Sequence, residues 1–202
     1  MNWITKFIKP KIKSLFKRKV SKNEETLWIS CKCKNLIYKE DLQSNLNCCP
    51  KCGLHHKLTC NERFQLFFDN KDYEILETPL PCDDPLNFVD NKKYTDRLKT
   101  ARAITKQDDA VAIAKGKVNN IDVIVGSQDF RFIGGSFGAA SGEAFISGVQ
   151  HAIDERTPFI FFSCSGGQRM MESLIALAQM PRTTLAVNEL KKQNLPYIVV
   201  LT

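Results

Sequence analysis

The hydrophobic positions in the second half of the chain form short apolar runs that alternate with amphipathic stretches. The apolar runs predict buried strands at Val111 to Val118, Ile121 to Val125, Phe159 to Phe162 and Tyr197 to Leu201. The amphipathic stretches predict helices at Phe88 to Ala103, Gly142 to Glu155, Gln168 to Gln179 and Thr184 to Gln193. Strands that alternate with helices are typical of a layered α/β domain, which is therefore the expected fold class.

Two local patterns refine this prediction. Asn119-Asn120 lies between the first two strands and predicts a hairpin turn, because asparagine tolerates positive φ. The third helix carries apolar residues at helical spacing, which predict one buried face made of Met171, Leu174, Ile175 and Ala178.

The net charge of +7 is concentrated in the first residues of the chain. Residues 1–22 hold eight of the 29 Lys and Arg and none of the 22 Asp and Glu, so the rest of the chain is nearly neutral. This distribution argues against a domain-wide basic face for nucleic acid. Trp3, Phe7 and Phe16 recur among the lysines, and Pro10 interrupts the helical spacing. We expect a solvated arm, with contact to a membrane surface or to nucleic acid as the alternatives.

Five of the eight cysteines lie close together, which indicates metal binding rather than a disulfide framework. Two short cysteine pairs, with 15 residues between Cys33 and Cys49, are typical of a structural four-cysteine zinc site. The expected ligands are Cys31, Cys33, Cys49 and Cys52. Should one of the first pair fail as a ligand, the expected substitutes are Cys48, His55 and His56. The remaining cysteines are expected to be small buried hydrophobic residues: Cys60, Cys82 and Cys164.

The proline-rich segment with Pro79, Pro81 and Pro85 predicts a domain boundary. We therefore divide the chain into a basic arm (1–26), a zinc ribbon (27–58), a connector (59–87) and an α/β domain (88–202).

The glycine loops match neither a P-loop nor a dinucleotide fingerprint, and Ser165 is not in a Gly-x-Ser-x-Gly turn. Gly166-Gly167 follows a predicted strand and precedes a predicted helix, where outward-facing N–H groups can hold an oxyanion. A tight strand-to-helix turn with no ligand is the alternative reading.

Five segments resemble the carboxyltransferase beta subunits of bacterial acetyl-CoA carboxylases, in the same order along the chain. They are the Trp28 to Leu58 ribbon, Lys92 to Leu98, Phe132 to Gly138, Phe162 to Met170 and Leu195 to Thr202. The resemblance implies a crotonase-like α/β spiral domain behind a zinc ribbon, in a cytoplasmic α2β2 complex.

The resemblance also implies an activity and its partners. The carboxyl group of carboxybiotin, carried on the biotin carboxyl carrier protein, would pass to acetyl-CoA and give malonyl-CoA for fatty-acid synthesis. The expected partners are the alpha subunit, that carrier and biotin carboxylase, which uses the ATP. By matching motif, Gly166 and Gly167 would supply catalytic backbone N–H groups. Substrate would be bound by Gly134, Gly135, Ser136 and Arg169. Arg169 would contact a CoA phosphate, and an ion pair is the preferred alternative for it.

Three departures from the family pattern carry expectations of their own. The first cysteine pair is one residue short, and Gln168 stands where the family has a small residue. The chain ends at Thr202, where the family continues into a further Gly-Gly loop, so we expect an incomplete site with little transferase activity. The alternatives are a zinc-ribbon protein that binds nucleic acid and a noncatalytic remnant that binds the alpha subunit.

Overall fold

The computed structural model describes residues 27–202, and the basic arm lies outside the described residues. The chain divides into two compact units, one ending at His55 and the other running from His56 to Thr202. None of the helices described in residues 27–202 is long and apolar enough to cross a membrane.

The first unit is a small ribbon built on a two-stranded antiparallel sheet. Strands β1 (Trp28–Ser30) and β2 (Leu36–Tyr38) pair, and the short helix α1 (Lys39–Ser44) follows directly. Its small core consists of Cys31, Ile37, Leu42 and Cys49. Because few apolar side chains are available, two cysteines occupy core positions, and the ribbon depends on what those thiols bind.

The second unit contains a five-stranded sheet with helices on both faces. Its strands, in spatial order, are β3 (Tyr73–Leu76), β4 (Val111–Val118), β5 (Ile121–Gln128), β6 (Phe159–Ser163) and β7 (Tyr197–Leu201). Its helices are α2 (Cys60–Phe67), α3 (Tyr94–Thr105), α4 (Ala139–Asp154), α5 (Ser173–Leu177) and α6 (Gln179–Lys192). The first three strands pair antiparallel, whereas β5, β6 and β7 are parallel.

Both faces of the sheet are buried, which explains the uninterrupted apolar sequence of β6. Phe159 and Phe161 point to the face covered by α4 and α6, and Ile160 and Phe162 point to the face covered by α2. Successive strand residues alternate between the two faces, so a strand buried on both sides must be apolar throughout.

The strand predictions are confirmed, since all four expected strands form and β5 extends as far as Gln128. Asn119 and Asn120 adopt φ values of 51° and 64°, as the hairpin turn requires. The expected connector over residues 59–87 is wrong as far as residue 76, because α2 packs on the sheet and β3 is the first strand of that sheet.

The helix predictions hold less well. The helix expected from Phe88 begins only at Tyr94, whose N–H donates to the carbonyl of Phe88. The predicted Gln168 to Gln179 helix is broken, because Ser173 takes a positive φ of 48° between a 3-10 turn and α5. The face predicted for it is wrong as well: Met171 is buried, but Leu174 is 75% exposed.

Leu190 on α6 offers a direct test of this packing. Its side chain is fully buried in the core between α6 and the sheet, whereas Leu185 on the same helix is 65% exposed. We expect Leu190→Ala to lower the free energy of unfolding by about 2–5 kcal/mol, because it leaves a cavity. Leu185→Ala should change that free energy by less than about 0.5 kcal/mol. Urea denaturation of both variants measures the difference, and similar losses would contradict the packing described.

Candidate functional site

Two glycine-rich loops meet at the carboxyl ends of neighbouring parallel strands. One follows β5 and contains Gly134 and Gly135, and the other follows β6 and contains Gly166 and Gly167. Parallel strands place their carboxyl ends at one edge of the sheet, so loops far apart in sequence come together there. In open α/β sheets, ligands bind at this edge.

Backbone hydrogen bonds join the two loops directly. The Gly166 N–H donates to the Gly134 carbonyl at 2.8 Å, and the Phe137 N–H donates to the Gly167 carbonyl at 2.9 Å. The Arg169 N–H then donates back to Phe137 at 2.9 Å, which completes a short parallel ladder. The loops therefore form one junction rather than two independent turns.

Gly135 lies at the closest approach between the loops. A Cβ atom there would stand 2.1 Å from the Cys164 carbonyl oxygen, and φ is +64°. Both constraints require glycine. Gly134 has a similar φ of +67°, but a Cβ atom at that position would meet nothing within 4 Å. The two glycines thus share one backbone conformation and differ in the space available.

The two amides expected to hold an oxyanion are both engaged within the protein. The Gly166 N–H is committed to the Gly134 carbonyl, so the expectation that it faces outward is wrong. The Gly167 N–H donates to the Ser165 hydroxyl at 3.0 Å. A hydroxyl can rotate away from its partner, whereas the ladder carbonyl is fixed. The role of Gly167 as an oxyanion donor stays a prediction.

A cavity of about 470 Å³ opens beside Gly167. Phe137, Phe161 and Tyr197 contribute aromatic walls, and Ser165 contributes a hydroxyl. Gln168 also lines the cavity. Its amide is assigned with the nitrogen toward the carbonyls of Phe137 and Ala176, an orientation in which it donates to them at 2.9 and 3.0 Å. A mostly apolar cavity with a few polar groups at one end is typical of small-molecule sites.

Below the junction, Arg169 forms a buried ion pair. Its side chain is fully inaccessible to solvent and contacts Asp109 through two hydrogen bonds, at 2.5 and 2.8 Å. It also donates to the Ser136 carbonyl at 2.6 Å and to the Ser136 hydroxyl at 3.1 Å. The ion pair expected for Arg169 is therefore confirmed, and substrate binding by Ser136 stays a prediction.

Tyr94 and Glu172 complete the buried network. The Tyr94 hydroxyl donates to Glu172 at 2.6 Å, and the second oxygen of Glu172 accepts the Ala139 N–H at the start of α4. Burial raises the pKa of Tyr94, so its hydroxyl stays protonated as a donor. Burial alone would lower the pKa of Arg169, but its bonds to Asp109 outweigh burial and raise that pKa. The guanidinium therefore stays charged.

Removal of the Arg169 charge should be strongly destabilising. We expect Arg169→Met to lower the free energy of unfolding by about 3–5 kcal/mol, because two carboxylates would be left buried without their cation. Arg169→Lys, which keeps the charge, should lose less. The matched control is Arg182→Met, which removes a partly exposed pair with Glu143 and should cost less than about 1 kcal/mol. Equal losses for Arg169 and Arg182 in urea denaturation would refute the network's importance.

In the ribbon, the four predicted zinc ligands converge. The sulfurs of Cys31, Cys33, Cys49 and Cys52 all lie within 4.8 Å of one another. Cys31 and Cys52 are 3.7 Å apart and Cys33 and Cys49 are 3.9 Å apart. Four sulfurs bound tetrahedrally about 2.3 Å from zinc would be separated by roughly 3.8 Å. The donor set and its dimensions fit a closed structural zinc site, despite the shortened first pair.

The amides of Asn35 favour the thiolate form of one zinc ligand, Cys33. The Asn35 side chain donates to the Cys33 sulfur at 3.2 Å. This bond and the Asn35 backbone lower the pKa of Cys33 to about 6. This lowers the cost of deprotonation at Cys33. At Cys52, the Leu54 backbone lowers the pKa, but hydrogen bonding with Cys49 and burial outweigh it and raise the pKa to about 12, so zinc must displace that proton.

The other cysteines and histidines have separate environments. Cys48 lies 3.3 Å from His55 Nδ1, in a contact outside the cluster of four sulfurs, and His56 belongs to the second unit. Cys60 is buried as expected, and its thiol donates to the Ser127 carbonyl. Cys82 is exposed and Cys164 only partly buried, so their assignment as buried hydrophobic residues is wrong.

Zinc content tests the ligand set. We expect the purified chain to contain one zinc ion, and Cys49→Ser to lose most of it because a ligand is missing. Cys48→Ser changes an adjacent cysteine that lies outside the cluster and should retain the metal. Elemental analysis by mass spectrometry measures both variants. Zinc retention by Cys49→Ser, or loss by Cys48→Ser, would reassign the ligands.

Sequence reasoning missed four residues that shape the site. Tyr94, Asp109 and Glu172 hold Arg169, and Gln128 bridges the two loops. Acidic residues and a tyrosine are common on surfaces, so their type alone gives no signal. Gln128 ends an apolar strand as a polar residue, and that position was the available clue.

The fold and the joined glycine loops are those of a carboxyl transferase domain, as similar proteins show. Residues 84–202 match the carboxyl transferase domain family, and residues 28–52 match the acetyl-CoA carboxylase zinc finger domain. Similar solved structures include transcarboxylase 12S with methylmalonyl-coenzyme A bound (TM-score 0.56, 23% identity, 72% of this chain and 26% of that chain). Another is the beta subunit of geranyl-CoA carboxylase from P. aeruginosa (TM-score 0.52, 14% identity, 79% and 27%). At such identities, these likenesses establish the fold alone.

Sequence relatives narrow the class further. A relative from Pelagibacter ubique (strain HTCC1062), named acetyl-coenzyme A carboxylase carboxyl transferase subunit beta, is 51% identical over 100% of this chain and 66% of its own length. A relative of the same name from Methylocella silvestris is 45% identical over 100% of this chain and 69% of its own length. The chain belongs to the acetyl-CoA carboxylase carboxyl transferase subunit beta family, and it spans about two thirds of the length of these curated relatives. The predicted family, α/β fold class and four-cysteine ribbon are confirmed.

Proposed function

We propose that this chain acts in the transfer of a carboxyl group from carboxybiotin to acetyl-CoA, which yields biotin and malonyl-CoA. The observation that carries the proposal is the similarity of the whole chain to carboxyl transferase beta subunits, at 51% identity to one of them. The joined glycine loops beside an apolar cavity supply a place for this chemistry.

The reaction develops negative charge on the thioester oxygen of the substrate, so the protein must supply hydrogen-bond donors to that oxygen. Carboxybiotin would supply CO₂ as its N–C bond breaks, and the biotin left behind would take a methyl proton from acetyl-CoA. The resulting enolate, with its charge on the thioester oxygen, would then capture that CO₂. Fixed N–H donors stabilise such an oxygen most effectively in a site that excludes water. Of the two amides considered, Gly167 is the better donor, since only a hydroxyl must move to release it. The aromatic walls would exclude water around the acyl group.

The same family membership supports partners and cofactors. We propose assembly with a carboxyltransferase alpha subunit as α2β2, and work with the biotin carboxyl carrier protein and biotin carboxylase in the cytoplasm. Biotin would arrive on its carrier, and acetyl-CoA would be the substrate. Zinc, held by Cys31, Cys33, Cys49 and Cys52, would stabilise the ribbon and take no part in the reaction.

Acetyl-CoA binding to the glycine loops provides the first test. We expect acetyl-CoA to slow amide hydrogen exchange in residues 132–138 and 163–169. Gly135→Ala should abolish that protection, because its Cβ would collide with the Cys164 carbonyl. Gly134→Ala is the matched strain control, since it carries the same strain of about 1–2 kcal/mol without the collision, and it should lose less protection than Gly135→Ala.

Malonyl-CoA formation with the alpha subunit and carboxybiotin, followed by mass spectrometry, tests the reaction itself, and an ordinary rate would overturn the expectation of little transferase activity. Gly135→Ala should lower the rate by more than about tenfold relative to Gly134→Ala, because the loops that place the donor would separate. Absence of acetyl-CoA protection in the unmodified chain, or protection confined to other segments, would contradict the proposed function.

A further inference from the structure

Gln128 is a buried polar residue at the end of β5, where the first glycine loop begins. Its side chain is only 3% exposed, and its amide makes three hydrogen bonds. The nitrogen donates to the Gly135 carbonyl at 3.2 Å. The oxygen accepts from the Ser163 hydroxyl and from the Cys164 N–H, both at 3.1 Å. The amide nitrogen therefore binds the loop after β5, and the amide oxygen binds the end of β6 and the loop that follows it.

The location of these partners separates Gln128 from an ordinary buried glutamine. Gly135 and Cys164 are the two residues at the closest approach of the loops, where no side chain fits between them. The backbone ladder holds the loops farther along, from Gly134 and Gly166 onward. Gln128 joins Gly135 of the first loop to Ser163 and Cys164, where the second loop leaves β6. Together the two sets of bonds leave the junction little freedom to open.

Gln128 also lines the cavity beside Gly167, together with Ser163 and Ser165. A change in its length or bonding would therefore shift the second loop relative to that cavity. Loop placement matters here because backbone N–H groups, unlike side chains, move only when the chain itself moves. An error of about 1 Å in such donors can reduce a rate by about 100-fold.

We propose that Gln128 is a positioning residue, which sets the separation of the two glycine loops and thereby the placement of the Gly167 N–H. This inference rests on the proposed carboxyl transfer for its kinetic consequence, but its structural part can be tested without it.

Two substitutions separate the donor and acceptor roles of this amide. Gln128→Glu keeps an acceptor for Ser163 and Cys164 and loses the donor to Gly135, but it also buries a charge. Gln128→Met has nearly the same length and removes both roles without a charge. Burial of an unpaired carboxylate is the more destabilising change, so thermal stability should follow the order Met above Glu.

Protection of the Cys164 amide from hydrogen exchange should follow the opposite order, with Gln128→Glu above Gln128→Met. We expect hydrogen exchange at the Cys164 amide to be at least about tenfold faster in Gln128→Met than in the unmodified chain, because its acceptor is gone. Gln128→Glu should retain most of that protection despite its lower stability. Ile124→Val, a buried change in the same strand, should lower stability without a selective effect on Cys164. Gln150→Met, on an exposed glutamine of α4 that bonds only Asp154, should change neither.

In the transfer assay with the alpha subunit, Gln128→Met should lower kcat by about tenfold or more while KM for acetyl-CoA changes by less than about twofold. A role in folding alone would instead make Cys164 exchange follow stability across all four variants, and that result would overturn the proposal. Unchanged Cys164 exchange in Gln128→Met would overturn it too. If acetyl-CoA gives the glycine loops of the unmodified chain no protection, the proposed function fails, whereas the exchange order still decides the role of Gln128.

Discussion

The buried charge of Arg169 is the constraint on which the arrangement of this domain depends. A guanidinium without solvent must be met by carboxylates and carbonyls, or the fold loses several kcal/mol. The groups that meet it come from α3, from the segment before β4, from the first glycine loop and from the 3-10 turn after β6. Each of these segments must therefore return to one point. Glu172 extends the constraint to α4, since it accepts the first N–H of that helix.

The chemistry expected at the loops explains why so much side-chain structure lies beneath them. A site that works through backbone amides has no rotamers to adjust, so its accuracy is that of the surrounding scaffold. Here the scaffold has two levels. The ion pair of Arg169 with Asp109 fixes the second loop at Arg169. Gln128 and Gly135 set the distance between the two loops near Cys164. The residues that support the loops thus determine where the Gly167 N–H stands.

Sequence reasoning recovered the features that depend on neighbouring residues. The apolar runs, the Asn119-Asn120 turn and the paired cysteines each specify a local geometry, and the strands and the metal cluster appeared where expected. It failed where distant partners decide the outcome. Asp109 and Arg169 are 60 residues apart, and the sequence around Arg169 does not indicate Asp109 as its partner. The 168–179 helix failed for the same reason: Glu172 is drawn into the network, and Ser173 breaks the helix beside it. The prolines likewise predicted a connector over residues 59–87, although α2 packs on the sheet and β3 is one of its strands.

The change from antiparallel to parallel pairing within the sheet bears on the order in which the domain forms. The β4–β5 hairpin closes through two residues, so it needs little loop-closure entropy and can form early. β6 and β7 must each wait for a helical crossover before they pair with it. The glycine-loop junction requires the first of these crossovers, and the Arg169 ion pair requires residues on both sides of it. We therefore expect the site to take shape late in folding, on a template that is complete before any of its loops are in place.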